Sequence, residues 1–282
     1  MMGDAFLHGG RYRSADSCYY VMYEVGEGFE SLKRIALWNE RFGELGEAIA
    51  YMDRAIADAR ERASRRDVGD LYAQLAGIFY ARGFADAALE NIDSSLTLSP
   101  GVVPRMALRA DILRVKGLTA ASDQIYERLP ELSPHPYYKT LLARACNQRG
   151  DYVRADSLVR IAVDEYEALS LQYLSVVVER YIECLLDFDI DREKALSLAY
   201  AQSRKRRDIY AYELLAWAYY KNEQYDRAWS AVALGLRGQA TDPRVVYRAS
   251  LIANAAGEDE RYQVLSERSN RLNPLAAVMY GK

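Results

Sequence analysis

Catalysis needs titratable or nucleophilic side chains that converge on one point, and this sequence offers few. Its two histidines, His8 and His135, sit beside a glycine pair and between two prolines, where both read as loop residues. The cysteines Cys18, Cys146 and Cys184 are odd in number and far apart, with no CxxC pair and no histidine close by. Neither a disulfide framework nor a zinc site is legible in that pattern, and the three read as free thiols. The run DFDID, Asp187 to Asp191, opens like a calcium loop, yet Arg192 stands where that loop needs glycine and Leu198 where it needs its last glutamate. Asp191 reads better as the cap of a following helix. No glycine-rich phosphate loop, GxSxG elbow or HExxH pair occurs. The expectation is no enzyme, no metal and no cofactor.

Binding chemistry is better represented, because tyrosine occurs 23 times against six phenylalanines. Tyrosine offers a large contact area with few rotors and a polar tip, which enriches it at binding hot spots. Two basic clusters, Arg60-Glu61-Arg62 with Arg65-Arg66, and Arg204-Lys205-Arg206-Arg207, fall near expected helix ends. There they complement the helix dipole by about 0.3–1 kcal/mol without any ligand. With 37 basic and 40 acidic residues and a net charge of −3, the chain lacks the pull that nonspecific nucleic-acid or anionic-membrane binding requires. Apolar runs such as Leu171 to Val178 are far shorter than the roughly 20 residues of a membrane span, and none is expected to insert. Met1 to Gly10 shows no cationic start followed by an apolar block. A cytoplasmic place is expected if Met1 is the native start, a periplasmic or secreted one if a leader has been removed.

The elements that must carry these residues are helices. Seven prolines interrupt 282 residues, and apolar positions recur at helical spacing, as in Leu71, Leu75, Ile78 and Phe79. Glycines at Gly10, Gly43, Gly83, Gly117, Gly150 and Gly257 each close one helical pattern and precede another, at steps of 33, 34 or 40 residues once Ile190 and Glu223 fill two vacant places. Seven residues before each turn stands a small residue, Gly3, Ala36, Ala76, Ala110, Ala143, Ala216 and Ser250, with Glu183 the exception. Five residues after each turn a second series runs, Ala15, Ala48, Ala88, Ser122, Ala155, Ala195 and Ala228, broken by Tyr262. One small side chain on each helix at a fixed place is what a close antiparallel crossing demands.

These residues resemble the tetratricopeptide repeat family, whose unit is a 34-residue pair of antiparallel helices. YAQLAGIFYARGFADAALENIDSSLTLSP (Tyr72 to Pro100) and YELLAWAYYKNEQYDRAWSAVALGL (Tyr212 to Leu236) carry the resemblance best, and the last third is similar to the closing repeats of bacterial repeat proteins. The resemblance implies an all-α, right-handed α-solenoid forming one domain over 1–282. Its units are a partial repeat over 1–28, about seven repeats starting near 29, 69, 103, 136, 175, 209 and 243, and a short cap over 275–282. GDAFLHGGRYRSADSCYYVMYE supplies a full second helix and only the end of a first, so association through the chain ends is a further expectation.

The family's geometry aims certain offsets of each first helix into a concave groove. On this basis the expected partner-binding residues are Tyr80, Arg114, Tyr137, Arg144, Gln148, Arg180, Tyr210, Trp217, Tyr220, Arg244, Tyr247 and Arg248. The resemblance implies a non-enzymatic scaffold or adaptor that holds a peptide or helix of another protein there. Two alternatives stand beside it: a self-assembling array, or the docking or sensory segment of a longer regulatory protein.

Overall fold

In the computed structural model, residues 2–26, 28–170, 175–237 and 241–281 are described. Leu171 to Leu174, the start of the longest apolar run, lie outside them. Seventeen helices and no strand occur among the described residues. They run as antiparallel pairs: α1 (Met2–His8) with α2 (Tyr12–Val25), α3 (Phe29–Phe42) with α4 (Leu45–Arg62), α5 (Arg65–Ala81) with α6 (Ala85–Leu98), and α7 (Val103–Val115) with α8 (Thr119–Leu132). The series continues with α9 (Pro136–Arg149) and α10 (Tyr152–Ser170), α11 (Ser175–Asp187) and α12 (Arg192–Lys205), α13 (Ile209–Lys221) and α14 (Tyr225–Leu236), and α15 (Pro243–Ala255) and α16 (Asp259–Leu272). A short α17 (Ala276–Tyr280) packs on α15.

Several helices have a local reason to start where they do. Asp191, Asp208 and Asp242 cap α12, α13 and α15 by accepting the amides of Lys194, Ala211 and Val245 at 2.9, 2.9 and 3.1 Å. His135 caps α9 ahead of Pro136, with Nδ1 accepting the Tyr137 amide at 3.2 Å. Helix α5 begins at Arg65, ahead of the expected Gly69, because Ser64 and Asp67 close a reciprocal capping box.

Both series of small residues lie in the helix crossings. Ala36, Ala76, Ala110, Ala143 and Ala216 are fully buried, as are Ala15, Ala48, Ala88, Ser122, Ala195 and Ala228. Ala155 is 1% exposed. Ser122 goes further and donates its hydroxyl across the crossing to the Ala110 carbonyl at 2.8 Å. Leucine in place of Ala216 is therefore expected to cost about 1–3 kcal/mol by overpacking, seen as a lower urea midpoint with an unchanged slope.

The glycines at the turns, Gly10, Gly43, Gly83, Gly117, Gly150 and Gly257, all have positive φ, and Glu223 takes the same left-handed conformation at φ 59°. In the remaining turn the left-handed residue is Asp189, at φ 56°, and not Ile190. One extra residue stands between that turn and α12. Counting back from Asp189 puts Ile182, which is fully buried, in the small-residue place. Glu183 moves to the place held in other hairpins by Asp111, Arg144 and Trp217.

The array comes round far enough for its beginning to touch its end. Three successive hairpin turns meet three connections near the C-terminal end. The Arg207 amide donates to the His8 carbonyl at 3.3 Å, and the Ile209 amide to the Tyr12 hydroxyl at 3.1 Å. The Thr241 amide donates to the Arg41 carbonyl at 2.7 Å. Asn273 Nδ2 donates to the Ala81 carbonyl at 2.9 Å. At these turns the glycines serve close approach as well as conformation. A Cβ on Gly10 would strike the Arg207 carbonyl oxygen, one on Gly43 would lie 3.0 Å from Thr241 Oγ1, and one on Gly83 would lie 2.5 Å from Asn273 Oδ1.

Candidate functional site

The first helices turn their polar residues toward a shared inner chamber of about 400 Å³. Eight of the twelve residues expected in the groove line it: Tyr80, Arg114, Tyr137, Arg144, Gln148, Arg180, Arg244 and Arg248. They come from α5, α7, α9, α11 and α15, so the chamber is a product of the stack and not of one hairpin. Asp111, Tyr126, Leu141, Glu183, Asp187 and Phe188 complete most of the wall, and Val278, Met279 and Tyr280 of α17 close one side.

The other four expected residues lie elsewhere. Tyr210 donates its hydroxyl to Asp242 at 3.1 Å and lies under the Arg41 guanidinium. Trp217 is 3% exposed, in the core, stacked on Tyr220 at 4.8 Å with Arg248 over its other face at 4.4 Å. Its indole Nε1 is buried without a partner. Tyr247 faces Tyr280 with ring centroids 6.4 Å apart. The DFDID residues have structural partners: Asp187 pairs with Arg144, Asp189 with Arg192, and Asp191 caps α12. His8 contacts Asp208 at 3.4 Å, while His135 packs against Tyr138 and Tyr166. Cys146 and Cys184 are buried and Cys18 is partly exposed; burial pushes the Cys184 thiol up to about 11.

Ion pairs and hydrogen bonds knit the chamber across five repeats. Glu183 accepts from Arg180 Nη1 and Arg244 Nη1, each at 2.9 Å. Arg244 also reaches Glu213 at 3.3 Å, and Arg248 binds the other Glu213 oxygen at 2.6 Å. Arg144 pairs with Asp187, and Arg114 with Asp123 and Gln148. Burial alone would raise the Glu183 carboxyl, but the guanidiniums of Arg244, Arg180, Arg144 and Arg248 outweigh it and hold the group down at about 2. Asp111 goes the other way: burial raises its carboxyl although Tyr126 donates a hydrogen bond to it. Burial, together with the same carboxylate, pushes the Tyr126 hydroxyl up.

Chemically the chamber presents aromatic rings and aliphatic groups between guanidiniums that already have carboxylate partners. No group of three or more histidine, cysteine, aspartate or glutamate side chains among the described residues is placed to hold a metal. No helix of the described chain is long and apolar enough to cross a membrane. Three chamber features escaped the sequence reading. Tyr126 is not among the residues expected in the groove, Glu183 stands as the exception in the small-residue series, and 275–282 is expected as a short cap. A one-residue change of register at Asp189 finds Glu183; nothing local finds the other two.

No family model matches the chain, and no curated protein matches it. Solved structures do. A tetratricopeptide repeat protein from Parabacteroides merdae ATCC 43184 superposes with a TM-score of 0.50 over 90% of this chain and 96% of that one, at 16% identity. A chain of the APC/C hetero-tetramer Cut9-Hcn1 aligns with 99% of this chain at 14% identity and a TM-score of 0.49, and this chain spans 54% of its length. The first of these likenesses, at 16% identity, carries the fold and nothing finer. Taken with the spacing of turns and small residues, it shows that the chain resembles the tetratricopeptide repeat proteins and folds as an all-α solenoid of their kind.

Proposed function

We propose that the protein is a non-enzymatic scaffold that holds a segment of another polypeptide against the inner wall of the solenoid. The observation that carries this reading is the convergence of Tyr80, Tyr137, Arg144, Arg180 and Arg244 from separate repeats on one chamber. Such a surface exists only when the repeats are stacked, and stacked repeats give the extended concave faces that repeat proteins use for binding. The chemistry fits recognition better than catalysis: tyrosines supply contact area, and the charged groups are tied to one another.

A displayed peptide library selected on the folded protein tests the reading. Selected peptides are expected to lose at least about tenfold in affinity, a little over 1 kcal/mol, when Tyr137 is changed to Ala, with the far-UV circular dichroism unchanged. Peptides that bind equally well to the Tyr137→Ala and Arg144→Ala variants would place the partner outside the chamber and overturn it.

A further inference from the structure

One carboxylate of the chamber wall lacks a basic partner. Of the carboxylates that line the chamber, Glu183 is held by Arg180 and Arg244, and Asp187 by Arg144. Asp111 forms no ion pair among the described residues. Its Oδ1 accepts the Tyr126 hydroxyl, and no hydrogen bond to its Oδ2 is formed within the described chain. The guanidiniums of the wall are placed otherwise, since each already binds a carboxylate; Arg114 takes that of Asp123 and Arg248 that of Glu213.

A carboxylate taken out of water without a cation costs free energy, because the lost hydration is not offset by an opposite charge. Burial raises the Asp111 carboxyl and outweighs the Tyr126 hydroxyl and the guanidiniums of Arg144, Arg180 and Arg114, all of which act to lower it. A carboxyl raised on folding opposes the folded state wherever it is ionised, so the chain carries this charge at a cost to its own stability. Beside it stands Tyr80, another residue of the wall, whose hydroxyl is pushed up by burial and then by Asp111. Two other chamber rings already have a cation over them, Arg180 at 4.4 Å from the Tyr137 centroid and Arg114 at 5.1 Å from that of Tyr126. No cation lies over the Tyr80 ring among the described residues. An ammonium or guanidinium entering here would gain a charge-assisted hydrogen bond from Asp111 and an aromatic face from Tyr80, whereas an acid would meet a like charge.

We infer that Asp111 receives a basic side chain, lysine or arginine, carried by the partner segment, with the Tyr80 ring beside it. The inference rests on the reading of the inner wall as the partner site. It gives that site a sign: the wall's own guanidiniums are neutralised within the chain, and the charge left for the partner to answer is negative.

The probes are peptides selected from a displayed library on the unaltered chain. They are expected to share a lysine or arginine at one position and to lose at least about tenfold in affinity on Asp111→Asn. Norleucine at that position should cost as much on the unaltered chain and nothing further on the variant, as a double-mutant cycle requires of two groups in contact. Asparagine preserves the volume and an acceptor for Tyr126, and the urea midpoint of Asp111→Asn at neutral pH is expected to be no lower than that of the unaltered chain. A lower midpoint would show that the carboxylate has its partner inside the folded chain and would overturn the inference. Peptides enriched in aspartate or glutamate, or a basic residue whose loss costs the same on both proteins, overturn it as well. N-acetyl-lysine amide at the peptide's own concentration is expected to leave the peptide bound; displacement would assign the place to free amines instead of a polypeptide. If the selected peptides weaken on Tyr137→Ala and not on Asp111→Asn, the role of Asp111 falls and the partner site stands; if neither variant weakens them, both fall.

Discussion

Alanine at Gly83 is expected to lower stability by about 2 kcal/mol more than alanine at Gly117. Both glycines have positive φ, 80° and 77°, so both substitutions bear the left-handed penalty of about 1–2 kcal/mol. They differ in what surrounds them. No atom lies within 4 Å of a Cβ placed on Gly117, whereas one on Gly83 would sit 2.5 Å from Asn273 Oδ1 and 3.2 Å from its Cγ. Asn273 is fully buried and would be pushed off two hydrogen bonds, each worth about 1 kcal/mol. Urea midpoints of the two variants provide the measurement, with hydrogen exchange over residues 273–281 as a second readout. Exchange there should rise in the Gly83 variant and stay unchanged in the Gly117 variant. Equal destabilisation, with no change in exchange at α17, would mean that the contact between the ends does not hold in solution.

Glutamine at Glu183 is expected to cost about 3 kcal/mol at neutral pH and almost nothing near pH 2. The substitution preserves volume and removes the charge, leaving Arg180 and Arg244 short of a carboxylate in a buried place; breaking a buried pair in this way costs about 3–5 kcal/mol. The lowered carboxyl expresses the same ion pairs in another form. The carboxyl is held at about 2 against an ordinary 4.5, and each unit of pKa corresponds to about 1.4 kcal/mol. Because the folded group titrates below the unfolded one, its contribution is complete above about pH 4.5 and is lost as the pH falls toward 2. Unfolding curves of the two proteins at several pH values should converge over that window. A gap that persists unchanged down to pH 2 would show that the cost of the glutamine comes from packing.

Much of the architecture was legible because repeat proteins are built from local and nearest-neighbour terms. A left-handed turn residue and a small side chain at each crossing leave the same marks in every unit, and those marks recur as Gly83, Ala76 and Ala88 or Gly150, Ala143 and Ala155. The candidate site was legible in part for the same reason: Arg144 and Arg180 lie on the inner face because their first helices repeat the geometry of the others. The reading slipped where one residue was added. With Ile190 taken as the turn, Glu183 looked like an error in the series; with Asp189 as the left-handed residue, it becomes the hub of the ion-pair network. Trp217 was placed on the groove by offset, but stacking between Tyr220 and Arg248 draws it into the core.

The sequence by itself determined the helices, their pairing and the small-residue crossings, since each depends on side chains within one or two hairpins of one another. The tertiary structure alone decided that the turns at Gly10, Gly43 and Gly83 touch connections near Arg207, Thr241 and Asn273, and that α17 reaches back to the chamber. Those contacts depend on small rotations accumulated over many hairpins. No local spacing of residues records that sum, and only the complete stack fixes where the far end arrives.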